Sequence, residues 1–179
     1  MQVNCVLCNL KPLYSSSLLR NPDLEMNQTL PLDQQLCFAL YSVSNAVVRL
    51  YRPLLQPFDI TYPQYVVLLA LWQQDNISLG NLGRATLFDS GTLTPLVKKL
   101  EQKHLLQRLA SEHDERVKQV VLTPAGKALQ QKISGVMQAL RCQVAMDDQQ
   151  LLQLRQLAQQ LQQQVSAAAS CSPATADKL

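Results

Sequence analysis

The segment that most restricts the fold lies between residues 78 and 122, where two short helical patterns are followed directly by two strand-like runs. Ser78 can cap a helix carrying Leu79, Leu82 and Leu87, because a side-chain oxygen there accepts from backbone amides that the first turn leaves unpaired. Asp89 or Ser90 can cap a second helix that continues through Leu93, Leu96, Val97 and Leu100. Leu105 to Leu109 and Val117 to Leu122 then read as strands, joined by the polar run Ser111-Glu112-His113-Asp114-Glu115-Arg116 as a hairpin with a long tip. Two helices meeting at a tight turn, with a hairpin behind them, predict a winged helix-turn-helix. In that arrangement the second helix, residues 89 to 103, can enter a DNA major groove.

The flanks are helical. Leu36, Leu40, Val43, Val47, Leu50 and Leu54 recur at three- and four-residue steps, which predicts an amphipathic helix over roughly 33 to 55 with Asp33 as its N-cap. Pro53 and Pro57 should kink and then end it, since proline lacks the backbone donor and clashes with the preceding turn. Thr61 suits the N-cap of a second helix with Tyr65, Leu68, Leu69 and Trp72 on its apolar stripe. Beyond the hairpin, Thr123-Pro124 opens a long helix carrying Leu129, Ile133, Val136, Leu140 and Val144, weakened slightly by Gly126 and Gly135. A last helix after Asp147-Asp148 carries Leu151, Leu154, Leu157, Leu161 and Val165. The expected organisation is a flexible extension over 1–31, with Met26 as an alternative start, one domain over 32–165, and a disordered tail over 166–179. The fold class is mainly α with a small β-hairpin wing.

Composition excludes more than it selects. No apolar run approaches the ~18 residues that a membrane-spanning helix needs, and no secretory signal pattern opens the chain. The five cysteines, at 5, 8, 37, 142 and 171, form an odd set without a dense framework, which points to a reducing cytoplasm. Cys5 and Cys8 make a lone C-x-x-C with no second Cys or His pair at zinc-finger spacing, so no metal is expected. No phosphate loop, paired-histidine site or Ser-His-Asp arrangement is visible, His104 and His113 are isolated, and no cofactor is expected.

A net charge of +3 does not by itself identify a nucleic-acid binder, so the placement of charge matters. Residues 89 to 118 hold six basic side chains (Lys98, Lys99, Lys103, Arg108, Arg116, Lys118) against five acidic ones, nearly a balance. Ser90, Thr92 and Thr94 start the second helix, where hydroxyls and free amides can meet phosphates and base edges, and Lys98 and Lys99 follow on its flank. Pro95 removes one helical bond and could bend the helix toward DNA. At the hairpin tip Arg116 could enter a minor groove with Asp114 orienting its guanidinium, or simply form a surface ion pair. Lys98 and Lys99 could likewise be an ordinary solvated face.

The run Asp-Ser-Gly-Thr-Leu-Thr-Pro-Leu at 89–96, followed by Asp114-x-Arg116-x-x-x-Val120-x-Leu122-Thr123-x-x-Gly126, resembles the MarR family of winged-helix regulators. Leu36-Cys37-Phe38-Ala39-Leu40-Tyr41, Tyr51-Arg52-Pro53-Leu54 and Thr61-Tyr62-Pro63-Gln64-Tyr65 look more narrowly like its organic-hydroperoxide-sensing branch, OhrR, over residues 32 to 145. The resemblance implies an intertwined homodimer whose helices at 33–55 and 124–165 interlock. Two lobes, each spanning 61–123, would then bind successive major grooves of a palindromic double-stranded operator.

Taken alone, Cys37 beside Phe38 and Leu40 reads as a small buried hydrophobe. The tyrosines at 41, 51 and 62 suggest chemistry instead, since a phenol can donate to a thiolate and favour its nucleophilic form. Tyr41 is one helical turn from Cys37, but Tyr51 is fourteen residues on, roughly 21 Å along a continuous helix. A Tyr51 contact with Cys37 therefore requires a partner subunit, which agrees with the resemblance, where Tyr51 and Tyr62 match the thiol-contacting tyrosines. An organic hydroperoxide would oxidise Cys37 to a sulfenic acid able to condense with a second thiol. The resemblance implies that Cys142 is that thiol, bonded between subunits, with Cys171 a weaker substitute and a small cellular thiol the remaining option.

The chain is thus expected to be a repressor that releases its operator when Cys37 is oxidised. The alternatives are a repressor released by a small phenolic or lipophilic ligand, with Cys37 structural, and a thiol peroxidase. No Thr-x-x-Cys motif supports the peroxidase, so an enzyme is not expected.

Overall fold

The computed structural model describes residues 30–110 and 118–171. The chain divides into two units within its first long helix, one ending at Asn45 and the other beginning at Ala46. In the first unit a 3-10 turn, Leu32–Gln34, precedes helix α1, Leu36–Leu55. Asp33 lies inside that turn and is not the N-cap of α1. The chain before α1 is held instead by Gln35 Nε2, which donates to Leu30 O at 2.9 Å. Pro53 sits inside α1 and Pro57 inside a 3-10 turn, Gln56–Phe58, immediately after it.

In the second unit α2 (Tyr62–Gln73), α3 (Leu79–Thr86) and α4 (Ser90–Gln102) precede β2 (Leu106–Ala110) and β3 (Lys118–Leu122), and a two-residue strand β1 (Ile77–Ser78) lies between α2 and α3. The strand order is β1-β3-β2, antiparallel throughout, with Ile77 opposite Val120 and Arg108 opposite Val120 on the other edge. The hairpin expected from the sequence thus acquires a third strand. Helix starts here have local causes. Thr61 N is capped by Gln64 Oε1 at 3.0 Å, Ser78 Oγ accepts from Asn81 N at 3.2 Å, and Thr123 Oγ1 accepts from Gly126 N at 3.1 Å.

Helix α2 is buried on almost every side, through Gln64, Tyr65, Val67, Leu68 and Leu71, as expected for a helix at the centre of a lobe. Around it Leu55, Leu82, Leu93, Val97, Leu100, Leu106 and Val120 are almost fully excluded from solvent. Asp75, just past α2, fastens the last strand to helix α5 (Pro124–Lys132). Its Oδ1 accepts from Asn76 N and Leu122 N, each at 2.8 Å, and its Oδ2 meets Lys127 Nζ at 3.1 Å.

The expected long helix after Thr123 is broken into α5 and α6 (Val136–Arg141). Ser134 Oγ donates to Gln131 O at 2.8 Å and Val136 N to Ile133 O at 3.0 Å, so three-residue hydrogen bonds interrupt the helical ladder beside Gly135. Helix α7, Asp148–Cys171, is capped by Asp147 Oδ1 on Gln150 N at 2.8 Å. It continues past Val165, where a disordered tail was expected; the alanines at 167 and 168 have high intrinsic helix propensity and need no apolar stripe to extend it. No described helix is long and apolar enough to cross a membrane.

Candidate functional site

Helix α4 is held on its lobe by Leu93, Val97 and Leu100 and turns its other side outward. Ser90, Thr92, Thr94, Pro95, Lys98 and Lys99 are all exposed, so the expected reading residues share an open face. At 100° per residue Thr92 and Lys99 fall on one flank of that face and Thr94 and Lys98 on the other. Asp89 caps the helix, its Oδ1 accepting from Thr92 N and its Oδ2 from Thr92 Oγ1, each at 2.8 Å. These bonds hold the Asp89 carboxyl below its ordinary value. The Thr92 hydroxyl proton is therefore committed to Asp89, leaving its lone pairs outward. Pro95 does not interrupt α4, which runs from Ser90 to Gln102.

Among the described basic residues around α4, Arg108 and Lys103 are occupied. Arg108, on β2, grips Glu101 through Nε at 3.0 Å and Nη2 at 2.6 Å, while its backbone N donates to Glu101 Oε1 at 3.0 Å. The Arg108 hydrogen bonds keep the Glu101 carboxyl low, and those of Glu101 keep the guanidinium pKa raised. This fork ties the base of the wing to α4. Lys103 bonds the Asp59 carboxylate at 2.8 Å and also its carbonyl oxygen. Lys98 and Lys99 have no ion-pair partner among the described residues. Asp114 and Arg116, like His113, Cys5 and Cys8, lie outside the described residues.

Behind the wing, Thr123 Oγ1 donates to His104 O at 2.6 Å, and Gly126 O accepts from Trp72 Nε1 at 3.0 Å. A Cβ at Gly126 would overlap the carbonyl of Leu105, which accounts physically for a glycine in the first turn of α5.

Cys37 and Cys142 are free, exposed thiols. Within the single chain the apolar neighbours of Cys37 do not cover it. It lies in the first unit with the exposed Tyr41, on the helix that runs unbroken to Leu55. Cys142 caps the end of α6, with Gln138 Nε2 at 4.0 Å from its sulfur.

Tyr51 and Tyr62 are brought together, their ring centroids 4.7 Å apart and tilted by 38°. Tyr65 extends the cluster, 5.8 Å from Tyr51 and 6.2 Å edge-on from Trp72. Tyr51 is only 6% exposed, and burial, with Tyr62 and Tyr65 beside it, pushes its pKa up to about 12. It therefore stays a neutral donor, and its hydroxyl donates to Met137 Sδ at 3.2 Å. In the sequence Tyr65 stands on an apolar stripe and in the OhrR-like run 61–65 without a role at the thiol, and Met137 has none, because no local spacing links α1, α2 and α6.

Residues 49–133 match the transcriptional regulator family SarA/Rot. The organic hydroperoxide resistance transcriptional regulator of Bacillus subtilis is 42% identical over 123 residues, which are 67% of this chain and 84% of that protein. Reduced AbfR of Staphylococcus epidermidis bound to DNA superposes with a TM-score of 0.68 at 31% identity, over 77% of this chain and 94% of that one. Disulfide-formed AbfR gives 0.53 at 33% identity, over 78% and 92%. The chain is therefore a DNA-binding transcriptional regulator, and it belongs to the winged-helix family of MarR and SarA/Rot type that includes the organic hydroperoxide resistance regulator.

Proposed function

We propose that this protein is a homodimeric repressor that binds a palindromic operator and releases it when an organic hydroperoxide oxidises Cys37. The observation that carries the proposal is the Tyr51–Tyr62 pair, in which a buried phenol kept protonated already donates to a sulfur atom. A thiolate is a far stronger acceptor than a thioether, so the same hydroxyl would favour an ionised Cys37 brought in by a second subunit. The exposed apolar residues of α1 (Leu36, Phe38, Leu40, Val43) and α7 (Leu152, Leu154, Leu157, Val165) suit burial against that subunit. Ser90, Thr94, Pro95, Lys98 and Lys99, with Thr92 behind its Asp89 cap, would face the operator, and Asp114 and Arg116 would work from the wing.

In the first step the Cys37 thiolate attacks the terminal oxygen of the hydroperoxide. The O–O bond breaks, an S–O bond forms, and the alkoxide leaves and takes a proton to become the alcohol. The resulting sulfenic acid condenses with the Cys142 thiol of the other subunit, forming the disulfide and releasing water. Joining two helices across the dimer would shift one recognition helix against its twin, whose half-sites are about 34 Å apart. AbfR has been solved both reduced on DNA and disulfide-formed, so a relative of this chain exists in two thiol states, which supports the same cycle here.

Non-reducing mass spectrometry of peroxide-treated protein, assembled from isotopically light and heavy subunits, tests it. A mixed-isotope Cys37–Cys142 peptide is expected. Unmodified thiols after stoichiometric organic hydroperoxide would overturn the sensor, and a link to a small thiol alone would remove Cys142 from it.

A further inference from the structure

The Tyr51 hydroxyl has a single proton to donate, and it donates that proton to Met137 Sδ at 3.2 Å. A thioether is a weak acceptor, so a stronger one nearby would win the bond. Tyr51 is buried against Tyr62, whereas Met137 is 53% exposed, so the donor is fixed and the residue that accepts from it is open to solvent. Helix α6 is what brings them together, because Val136 is buried, Leu140 packs against the same core, and Met137 lies between the two in sequence. In the sensor proposed above, the same hydroxyl serves Cys37 of the partner subunit, which leaves two sulfurs competing for one proton. A hydroperoxide that reaches that thiol also arrives beside Met137, so oxidation of Met137 does not depend on its exposure outlasting dimerisation.

We propose that Met137 is a second sulfur that organic hydroperoxides oxidise in this protein, and that its sulfoxide withdraws the Tyr51 hydroxyl from Cys37. The proposal rests on the peroxide-sensing reading of Cys37. A lone pair of Met137 Sδ attacks the terminal oxygen of the hydroperoxide. The O–O bond breaks, an S–O bond forms, and the hydroperoxide proton passes to the alkoxide oxygen, which leaves as the alcohol. The electron pair that the sulfur gives up reduces the peroxide, so no other reductant is needed. A thiolate is the stronger nucleophile, so Cys37 is oxidised first and Met137 under sustained peroxide. Oxidation turns an apolar thioether into a polar group whose oxygen accepts a hydrogen bond far better than sulfur does. Once Cys37 has been reduced again, the sulfoxide keeps the Tyr51 proton, and the thiolate loses the donor that favours it. The sensor is thereby desensitised until a methionine sulfoxide reductase removes the oxygen.

The test exposes the reduced full chain to excess cumene hydroperoxide and then to dithiothreitol, which returns sulfenic acids and disulfides to thiols but leaves methionine sulfoxide in place. Peptide mass spectrometry should find oxygen added at Met137 several-fold faster than at Met146, a partly exposed methionine in the segment before α7. On a second challenge the oxidised chain should lose its Cys37 thiol several-fold more slowly than untreated chain. Methionine sulfoxide reductases A and B should restore the rate, and because they do not act on over-oxidised cysteine, restoration assigns the slowing to methionine. Met137→Leu conserves volume, and after the same exposure it should keep the rate it shows untreated. Restoration in the parent chain tests the same point without any substitution. Equal oxidation of Met137 and Met146, a Met137 sulfoxide that leaves the Cys37 rate unchanged, or slowing that the reductases do not reverse would overturn the proposal while leaving Cys37 a sensor. An untreated chain whose Cys37 stays a thiol through the first challenge would overturn the sensor itself, and with it the competition for Tyr51.

Discussion

The hydroxyl of Tyr51 on α1 donates to Met137 Sδ on α6 across 3.2 Å, while its ring rests against Tyr62. A thioether is a weak acceptor, so the bond itself contributes little to folding. Tyr51→Phe should therefore change unfolding free energy by no more than about 1 kcal/mol in urea titrations. The rate at which an organic hydroperoxide consumes the Cys37 thiol should nevertheless fall several-fold, read by trapping the sulfenic acid. An unchanged oxidation rate would remove Tyr51 from the site and leave it a packing residue.

Gly126 meets the carbonyl of Leu105 so closely that alanine there must displace backbone. Gly126→Ala should cost about 1–3 kcal/mol or more in stability. The only tryptophan of the chain, Trp72, reports on it directly, because its indole N–H donates to Gly126 O at 3.0 Å. Its emission should shift in the folded variant, and an unchanged spectrum with unchanged stability would contradict the contact.

Asp75 joins α2, β3 and α5. Burial pushes its pKa up, but hydrogen bonds from Leu122 N, Lys127 and Asn76 N outweigh that and hold it below 3.8. A carboxyl lowered by folding stabilises the native state above its unfolded pKa, and that contribution is lost as pH falls through the folded value. Asp75→Asn should therefore lower the thermal midpoint at neutral pH, and the gap between parent and variant should close as pH drops below about 4. A gap that stays constant to about pH 2 would contradict a charged role.

Helix starts in the winged lobe were legible because a cap is written within four residues: Thr61, Ser78, Asp89 and Thr123 all stand where side-chain spacing put them. The features that escaped are non-local or weakly patterned. β1 is two residues long and exists only because Ile77 and Ser78 pair with Val120 and Gln119. Ile133 and Val136 continue the apolar period across the break between α5 and α6, so periodicity alone hid the turn that Ser134 and Gly135 make. In the site, Tyr51 and Tyr62 were found by resemblance, whereas Tyr65 and Met137 needed three-dimensional neighbours.

The Glu101–Arg108 fork anchors the wing to α4, although both side chains are about one-third exposed. Glu101→Gln should thus alter global stability by no more than about 1 kcal/mol. Hydrogen exchange at the Arg108 amide, which donates to Glu101 Oε1 at 3.0 Å, should accelerate at least several-fold, and DNA affinity should fall as the wing loosens. Unchanged exchange there would show that strand pairing alone holds the wing.

Control of the recognition helix by Cys37 is tested most directly by replacing that one sulfur. Reduced Cys37→Ser protein should bind a duplex selected by the parent chain within about twofold of the parent's affinity. On addition of an organic hydroperoxide the parent should release the duplex and the variant should retain it, both followed by anisotropy. Release of DNA by peroxide-treated Cys37→Ser protein would contradict the account.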